Sequence, residues 1–160
     1  MRAAIVTVST SKSGSGGRGD ESGDRLEELA TSIGAEIAGR DVIPDDRARI
    51  AERLRHWSDI ESCDLVLTSG GTGVALSDVT PEATRDVIER EAPGIAEAMR
   101  AASREHTRHW MLSRGVAGIR GRTLIVNFPG SPRSIGQAGG AIADALPHAL
   151  DLLAGGHGGH

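Results

Sequence analysis

Apolar residues recur along this chain with two different periods. Four short runs are rich in β-branched and aliphatic residues: Ala3 to Val8, about Glu36 to Ile43, Asp64 to Thr68, and Thr123 to Phe128. Apolar residues nearly fill two of them, as expected for strands buried on both faces. Between the runs the spacing changes to that of a helix: Leu26, Leu29 and Ile33 within about Asp24 to Ile33; Ile50, Leu54 and Trp57 within about Asp46 to Ile60; Ala83, Val87 and Ile88 within Pro81 to Glu91. Residues from about Gly94 to His106 also read as helix, Trp110 to Arg122 as irregular strand and turn, and Ser134 to Leu153 as one closing helix. Strands that alternate with helices of this length require crossover connections. The pattern therefore predicts an α/β fold with a mostly parallel sheet covered on both faces. Thr80-Pro81 and Ser131-Pro132 each put a capping hydroxyl before a proline at the first helical position.

Length and composition narrow the class. The 160 residues suit one domain, expected over residues 1–154, with a disordered tail at 155–160. No apolar run approaches the roughly 18 residues a spanning helix needs, so no membrane role is expected. The opening Met1-Arg2 leads straight into a β-rich run unlike a signal peptide, and the expected location is the cytoplasm. Cys63 is the single cysteine and reads as a buried inert thiol. A net charge of -4 without a basic run, and only Trp57, Trp110 and Phe128 as aromatics, argue against nucleic acid. All 18 basic residues except Lys12 are arginine, a bias read as background.

In an open parallel sheet, ligands bind at the carboxyl ends of the strands. Four such places carry small, polar or acidic residues: Ser9-Thr10-Ser11, Pro44-Asp45-Asp46, Ser69-Gly70-Gly71-Thr72-Gly73, and Pro129-Gly130-Ser131-Pro132. The third reads either as a cradle of backbone N–H groups around a phosphate or as a tight turn without a ligand. It has no following lysine, so it is no Walker loop. Asp78 lies just before the Thr80-Pro81 helix start, where it could reach a phosphate-bound metal or simply complement the helix dipole. One of Asp45 and Asp46 is expected to cap the next helix. Asn127 to Pro132 bends sharply and then offers a helix N-terminus, either an anion-binding edge or an ordinary capped turn. Gly14 to Gly19 matches a dinucleotide-binding pattern with Asp41 as the ribose acid, but the glycines begin six residues past the strand and acids follow where the helix should open. That stretch reads as a mobile loop, and an NAD(P)-dependent oxidoreductase is the rival it leaves. His106/His109 and His157/His160 read as solvated pairs.

Taken together, Ile43-Pro44-Asp45, Ser69 to Gly73, Asp78-Val79-Thr80-Pro81-Glu82-Ala83-Thr84, Leu112-Ser113-Arg114 and Asn127 to Pro132 closely resemble the MogA/MoaB family of molybdopterin-binding proteins, from Ile5 to about Leu153. The resemblance implies a three-layer α/β/α fold, a homotrimer, and Mg²⁺-dependent transfer of AMP from ATP to the terminal phosphate of molybdopterin, releasing pyrophosphate. On the matching positions it implies Asp45 and Asp78 as essential carboxylates and metal ligands, with Ser113 as a substrate-site hydroxyl grouped with them. Gly70, Gly71, Thr72 and Gly73 would form the nucleotide or phosphate loop. Asn127, Pro129, Gly130 and Ser131 would shape the adenylate site, and Thr10 and Ser11 would face the pterin. Ser77 stands where family members often carry arginine, which leaves one phosphate contact open. A molybdenum insertase is the partner such a product implies. Within the same family, a binding module without catalysis is the alternative; having both Asp45 and Asp78 favours the enzyme.

Overall fold

The computed structural model describes residues 1–156. Six strands form one sheet in the order β2-β1-β3-β6-β5-β4: β1 Arg2–Val8, β2 Glu36–Ile43, β3 Leu65–Ser69, β4 Arg90–Glu91, β5 Ala117–Arg120 and β6 Thr123–Phe128. β1 runs parallel to β2 and β3, and β3 parallel to β6, while β5 is antiparallel to both β6 and β4. The register aligns Val8 with Ile43, Thr7 with Ser69, and Ser69 with Phe128. Four parallel strands thus end in one row, which is what gathers their following loops on one edge.

Among the described residues, seven α-helices cover the sheet: α1 Thr10–Gly14, α2 Glu21–Ser32, α3 Arg47–Arg55, α4 Thr80–Arg85, α5 Pro93–Ser103, α6 Pro132–Ile142 and α7 Leu146–Leu153. Side chains alternate across each strand. Ala3, Ile5, Leu65, Leu67, Leu124, Val126 and Phe128 therefore meet Leu26, Met99, Ile135, Ile142 and Leu150 from α2, α5, α6 and α7 on one face. Ala4, Val6, Val8, Val66 and Ile125 meet Ile50, Leu54 and Ala83 from α3 and α4 on the other, together with Trp57 and Val87. Two separate apolar clusters with a sheet between them make the expected α/β/α sandwich. Among the described residues no helix is long and apolar enough to cross a membrane.

Several boundaries differ from expectation. Glycine and serine are densest from Ser13 to Gly23, which reads in sequence as one polar loop, yet the stretch is not one loop: Ser9 caps α1 and Asp20 caps α2, whose Ser22 and Gly23 are buried. The helix expected over Pro81 to Glu91 stops at Arg85, because Arg90 and Glu91 pair with β5, whose outer edge would otherwise be open. Val87 stays buried, so its helix-like spacing was genuine packing without helix. The closing helix is two helices. Pro147, in the first turn of α7, has no N–H to continue α6. Gly155 and Gly156 turn back onto α7 through bonds to the Leu152 and Asp151 carbonyls. The rest of the expected tail, with His157 and His160, lies outside the described residues.

Candidate functional site

The loop after β3 sits at the point where the chain's strands lead away in opposite directions, with β1 and β2 on one side and β6 on the other. Gly70 and Gly71 hold positive φ of 90° and 64°. A Cβ on Gly70 would strike the Val8 carbonyl oxygen, and one on Gly71 the Thr80 hydroxyl, so the turn requires glycine for space as well as for φ. The Gly71 position also lies against Asp45: a Cβ there would be 3.2 Å from Oδ1. A Cβ on Gly73 would come 2.7 Å from Asp78 Oδ2. The two carboxylates thus flank one bare backbone loop. Asp46 caps α3 by accepting from the Arg49 N–H, leaving Asp45 to the site. Thr10 holds Asp45 in place: its hydroxyl donates to Oδ2 at 2.9 Å and accepts from the Asp45 N–H at 3.1 Å. Asp78 Oδ2 accepts from the Ala75 N–H at 3.0 Å.

Partners distant in sequence fix the loop. The Arg114 guanidinium donates to the Gly73 carbonyl at 2.7 Å and the Asp78 carbonyl at 2.7 Å, and it pairs with Glu82; its own N–H donates to the Thr72 carbonyl. The ion pair holds the Glu82 carboxyl below its usual range and raises the Arg114 guanidinium. Thr80 was expected to cap α4, but Val79 occupies that position and makes no side-chain cap. The Thr80 hydroxyl instead donates to the Gly70 carbonyl at 2.9 Å, tying the helix to the loop. Behind it, Thr84 donates to the Thr80 carbonyl, and the Asn127 amide donates to Thr68 and Thr84 while its carbonyl accepts from the Val116 N–H.

On the α2 side, Asp20 is buried with its carboxylate bonded by Thr7, the Gly23 N–H and Arg40. Burial alone would raise its pKa, but the Arg40 bond, the Gly23 N–H and Thr7 together lower it. Arg40 is raised by the same ion pair. This cluster seats the first turn of α2, where the Ser22 hydroxyl donates to the Gly130 carbonyl at 2.6 Å. Gly130 in turn lies against Gly70, which a Cβ at 130 would approach to 3.4 Å.

The sequence-predicted residues therefore separate into groups. Thr10, Asp45, Gly70 to Gly73 and Asp78 surround the loop, and Pro129 and Gly130 adjoin it through Gly130. Ser113, Asn127 and Pro129 line a neighbouring cavity of about 150 Å³ between α5, α6 and residues 107–115. Ser11 is exposed beside Ser9, Ser77 lies in the exposed Val74 to Ser77 stretch, and Ser131 caps α6 by accepting from the Ser134 N–H. Asp41, the ribose acid of the rival dinucleotide reading, is bonded by Arg53 and the Trp57 indole. His106 and His109 are exposed, as expected of solvated histidines, although His109 also borders the cavity. Sequence reasoning gave no role to Arg114, Asp20, Ser22 or Arg40. Only Arg114 carried a signal, its place beside Ser113; the others become partners through folding alone.

Among the described residues no three carboxylate, histidine or cysteine side chains cluster as a metal cage. Two carboxylates beside a glycine loop suit instead a Mg²⁺ ion completed by substrate phosphates and water, since that ion binds proteins through one or two carboxylates.

Residues 4–148 match the family described as "Probable molybdopterin binding domain". The molybdopterin adenylyltransferase of Helicobacter pylori strain J99 is 44% identical over 115 residues, 72% of this chain, which spans 65% of that enzyme, a little under two thirds of its length. The molybdopterin adenylyltransferase of Escherichia coli K12 is 39% identical over 170 aligned positions, covering 97% of this chain and 86% of that one. A crystal structure of the molybdopterin biosynthesis enzyme MoaB from Thermus thermophilus superposes with a TM-score of 0.88 at 46% identity, covering 96% of each chain.

Proposed function

The chain belongs to this molybdopterin-binding domain family, and on that premise we propose that it transfers the adenylyl group of ATP to the terminal phosphate of molybdopterin, in the biosynthesis of the molybdenum cofactor. The observation that carries the reading is the pair of carboxylates, Asp45 and Asp78, set against Gly71 and Gly73 of one loop. Acidic side chains at a phosphate cradle make sense only with a cation between them and the substrate. Asp45 and Asp78 would hold a Mg²⁺ ion, which when bound neutralises phosphate charge that would otherwise oppose the meeting of two polyanions. The attacking phosphate oxygen is already anionic at neutral pH, so no side chain need remove a proton. It bonds to the α-phosphorus as the bond to the bridging oxygen breaks, and that oxygen leaves on pyrophosphate.

What remains for the protein is alignment. Backbone N–H groups of Gly71 to Gly73 would orient phosphate, the Gly70 N–H being donated to the Phe128 carbonyl, and Thr10 would hold one Asp45 oxygen so that the other faces the loop. Ser113 and the Pro129 to Ser131 turn would receive the remainder of the substrates, with Asn127 holding that turn in shape and Thr10 and Ser11 on the pterin side. A cytoplasmic homotrimer that passes its product to a molybdenum insertase is the setting this reading expects.

The purified protein should release pyrophosphate from MgATP only when molybdopterin is present. Asp78→Ala should lower turnover by at least about a hundredfold, the loss of some 2.7 kcal/mol of transition-state stabilisation, while largely sparing molybdopterin binding. Pyrophosphate release that persists unchanged in Asp78→Ala would refute the assignment.

A further inference from the structure

We propose that the cavity between α5, α6 and residues 107–115 receives the flat fused heterocycle of a substrate, with Trp110 and Arg100 as ring-binding residues. The inference rests on the adenylyl-transfer reading above, because it assigns a ring to a pocket neighbouring that phosphate loop.

The cavity joins an apolar floor to a polar wall. Ala96, Met99 and Ala138 are buried at its base, and Trp110 stands half-buried at its border. With about 150 Å³, it has room for a bicyclic nitrogen ring. Both other aromatic residues are committed to the core: Phe128 is fully buried, and Trp57 is packed under α3 on the opposite face of the sheet. Trp110 is therefore the one indole able to stack on a ligand at this edge, beside the smaller imidazole of His109. Arg100 is half-buried in the same wall. Its Nη1 donates to the carbonyls of Ser113 at 3.3 Å and Gly115 at 2.9 Å, which anchors the group. Its Nε and Nη2 make no hydrogen bond among the described residues. Such an anchored planar cation offers donors to the ring nitrogens and carbonyls of a purine or a pterin, and can stack on either.

Continuity with the reaction centre comes through the chain itself. Ser113 lines the cavity, and the next residue, Arg114, grips the Thr72, Gly73 and Asp78 carbonyls. Pro129 lines it too, and the adjacent Gly130 touches Gly70. A ring seated here would have its phosphates on the glycine loop. That geometry suits the adenine of ATP and the pterin of molybdopterin alike, so the experiment separates them.

Tryptophan emission reads the pocket directly. In a Trp57→Phe protein, where Trp110 is the only indole, AMP and molybdopterin are titrated separately, with pyrophosphate as the ringless control. One of the two ring ligands should change the emission saturably, and pyrophosphate should not. In the otherwise unaltered protein, Trp110→Leu should raise KM about tenfold for that same substrate and leave KM for the other within twofold. Ser103→Phe, which fills the cavity from its half-exposed rim, should do likewise, with circular dichroism confirming that both variants fold. Binding of both ring ligands by calorimetry without any change in Trp110 emission would overturn the assignment, as would KM values within twofold for both substrates in both variants. Because the titrations read binding alone, a protein that binds a ring at Trp110 but never releases pyrophosphate would sink adenylyl transfer and keep the ring pocket.

Discussion

Replacing Asn127 by alanine separates a residue that touches substrate from one that holds the site in shape. Asn127 is 3% exposed, and its amide is fully engaged by the Val116 N–H, Thr68 and Thr84. Truncation orphans a buried backbone N–H, at about 1 to 3 kcal/mol, and removes two donated bonds worth about 1 kcal/mol each. Allowing for a water entering the space, a net loss of about 3 kcal/mol is expected. For a domain of this size that is a fall in Tm of roughly 6 to 12 °C. Thermal and urea unfolding, each followed by circular dichroism and by fluorescence, measure it and check that the transitions coincide. Turnover at 20 °C should also drop, because Thr84, Thr80 and the Gly70 carbonyl form the next links of the same chain of bonds. A Tm within 2 °C of the parent together with a raised KM would refute this reasoning, and would mean that Asn127 acts on substrate directly.

Two further outcomes follow from the clusters on either side of the loop. Asp20 has a lowered pKa in the folded protein, so its stabilising effect is complete above its unfolded value near 3.9 and is lost as pH falls through the lower folded value. The stability gap between the parent and Asp20→Asn, measured by urea unfolding, should be constant from pH 7 to 5 and should shrink progressively as pH falls below about 4; a gap that is the same at pH 3 as at pH 5 refutes the network. Arg114→Ala should lower pyrophosphate release by about a hundredfold with little change in Tm, since the guanidinium is about a third exposed and its bonds order the loop more than the core. Arg114→Lys should rescue little, because one ammonium cannot span two carbonyls and a carboxylate, and full rescue would show that only the charge matters.

Much of the architecture was legible in the chain. Strand runs such as Ala3 to Val8 and Thr123 to Phe128 are nearly continuous in apolar residues because both faces of the sheet are covered, and that pattern needs no knowledge of partners. The glycines after β3 and the acids after β2 and before α4 were visible as well, because strand ends are where such residues gather. Helix limits were less legible. The periodicity of Val87 and Ile88 continues past Arg85 whether or not the backbone does, and Pro147 shows that one missing N–H outweighs a favourable pattern.

The sequence by itself determined the four parallel strands, that the sheet is mostly parallel, and that glycine, hydroxyl and acidic residues gather at its carboxyl edge. Periodicity, glycine and proline act within a few residues of chain, and so can be read there. Only the tertiary structure decided that Arg114 grips Asp78 from 36 residues away, that Thr80 binds Gly70 rather than capping its own helix, that Asp20 is buried against Arg40, and that Trp110 and Arg100 border one cavity. Those partnerships arise where strands far apart in sequence end side by side, and no local pattern records which side chains will meet there.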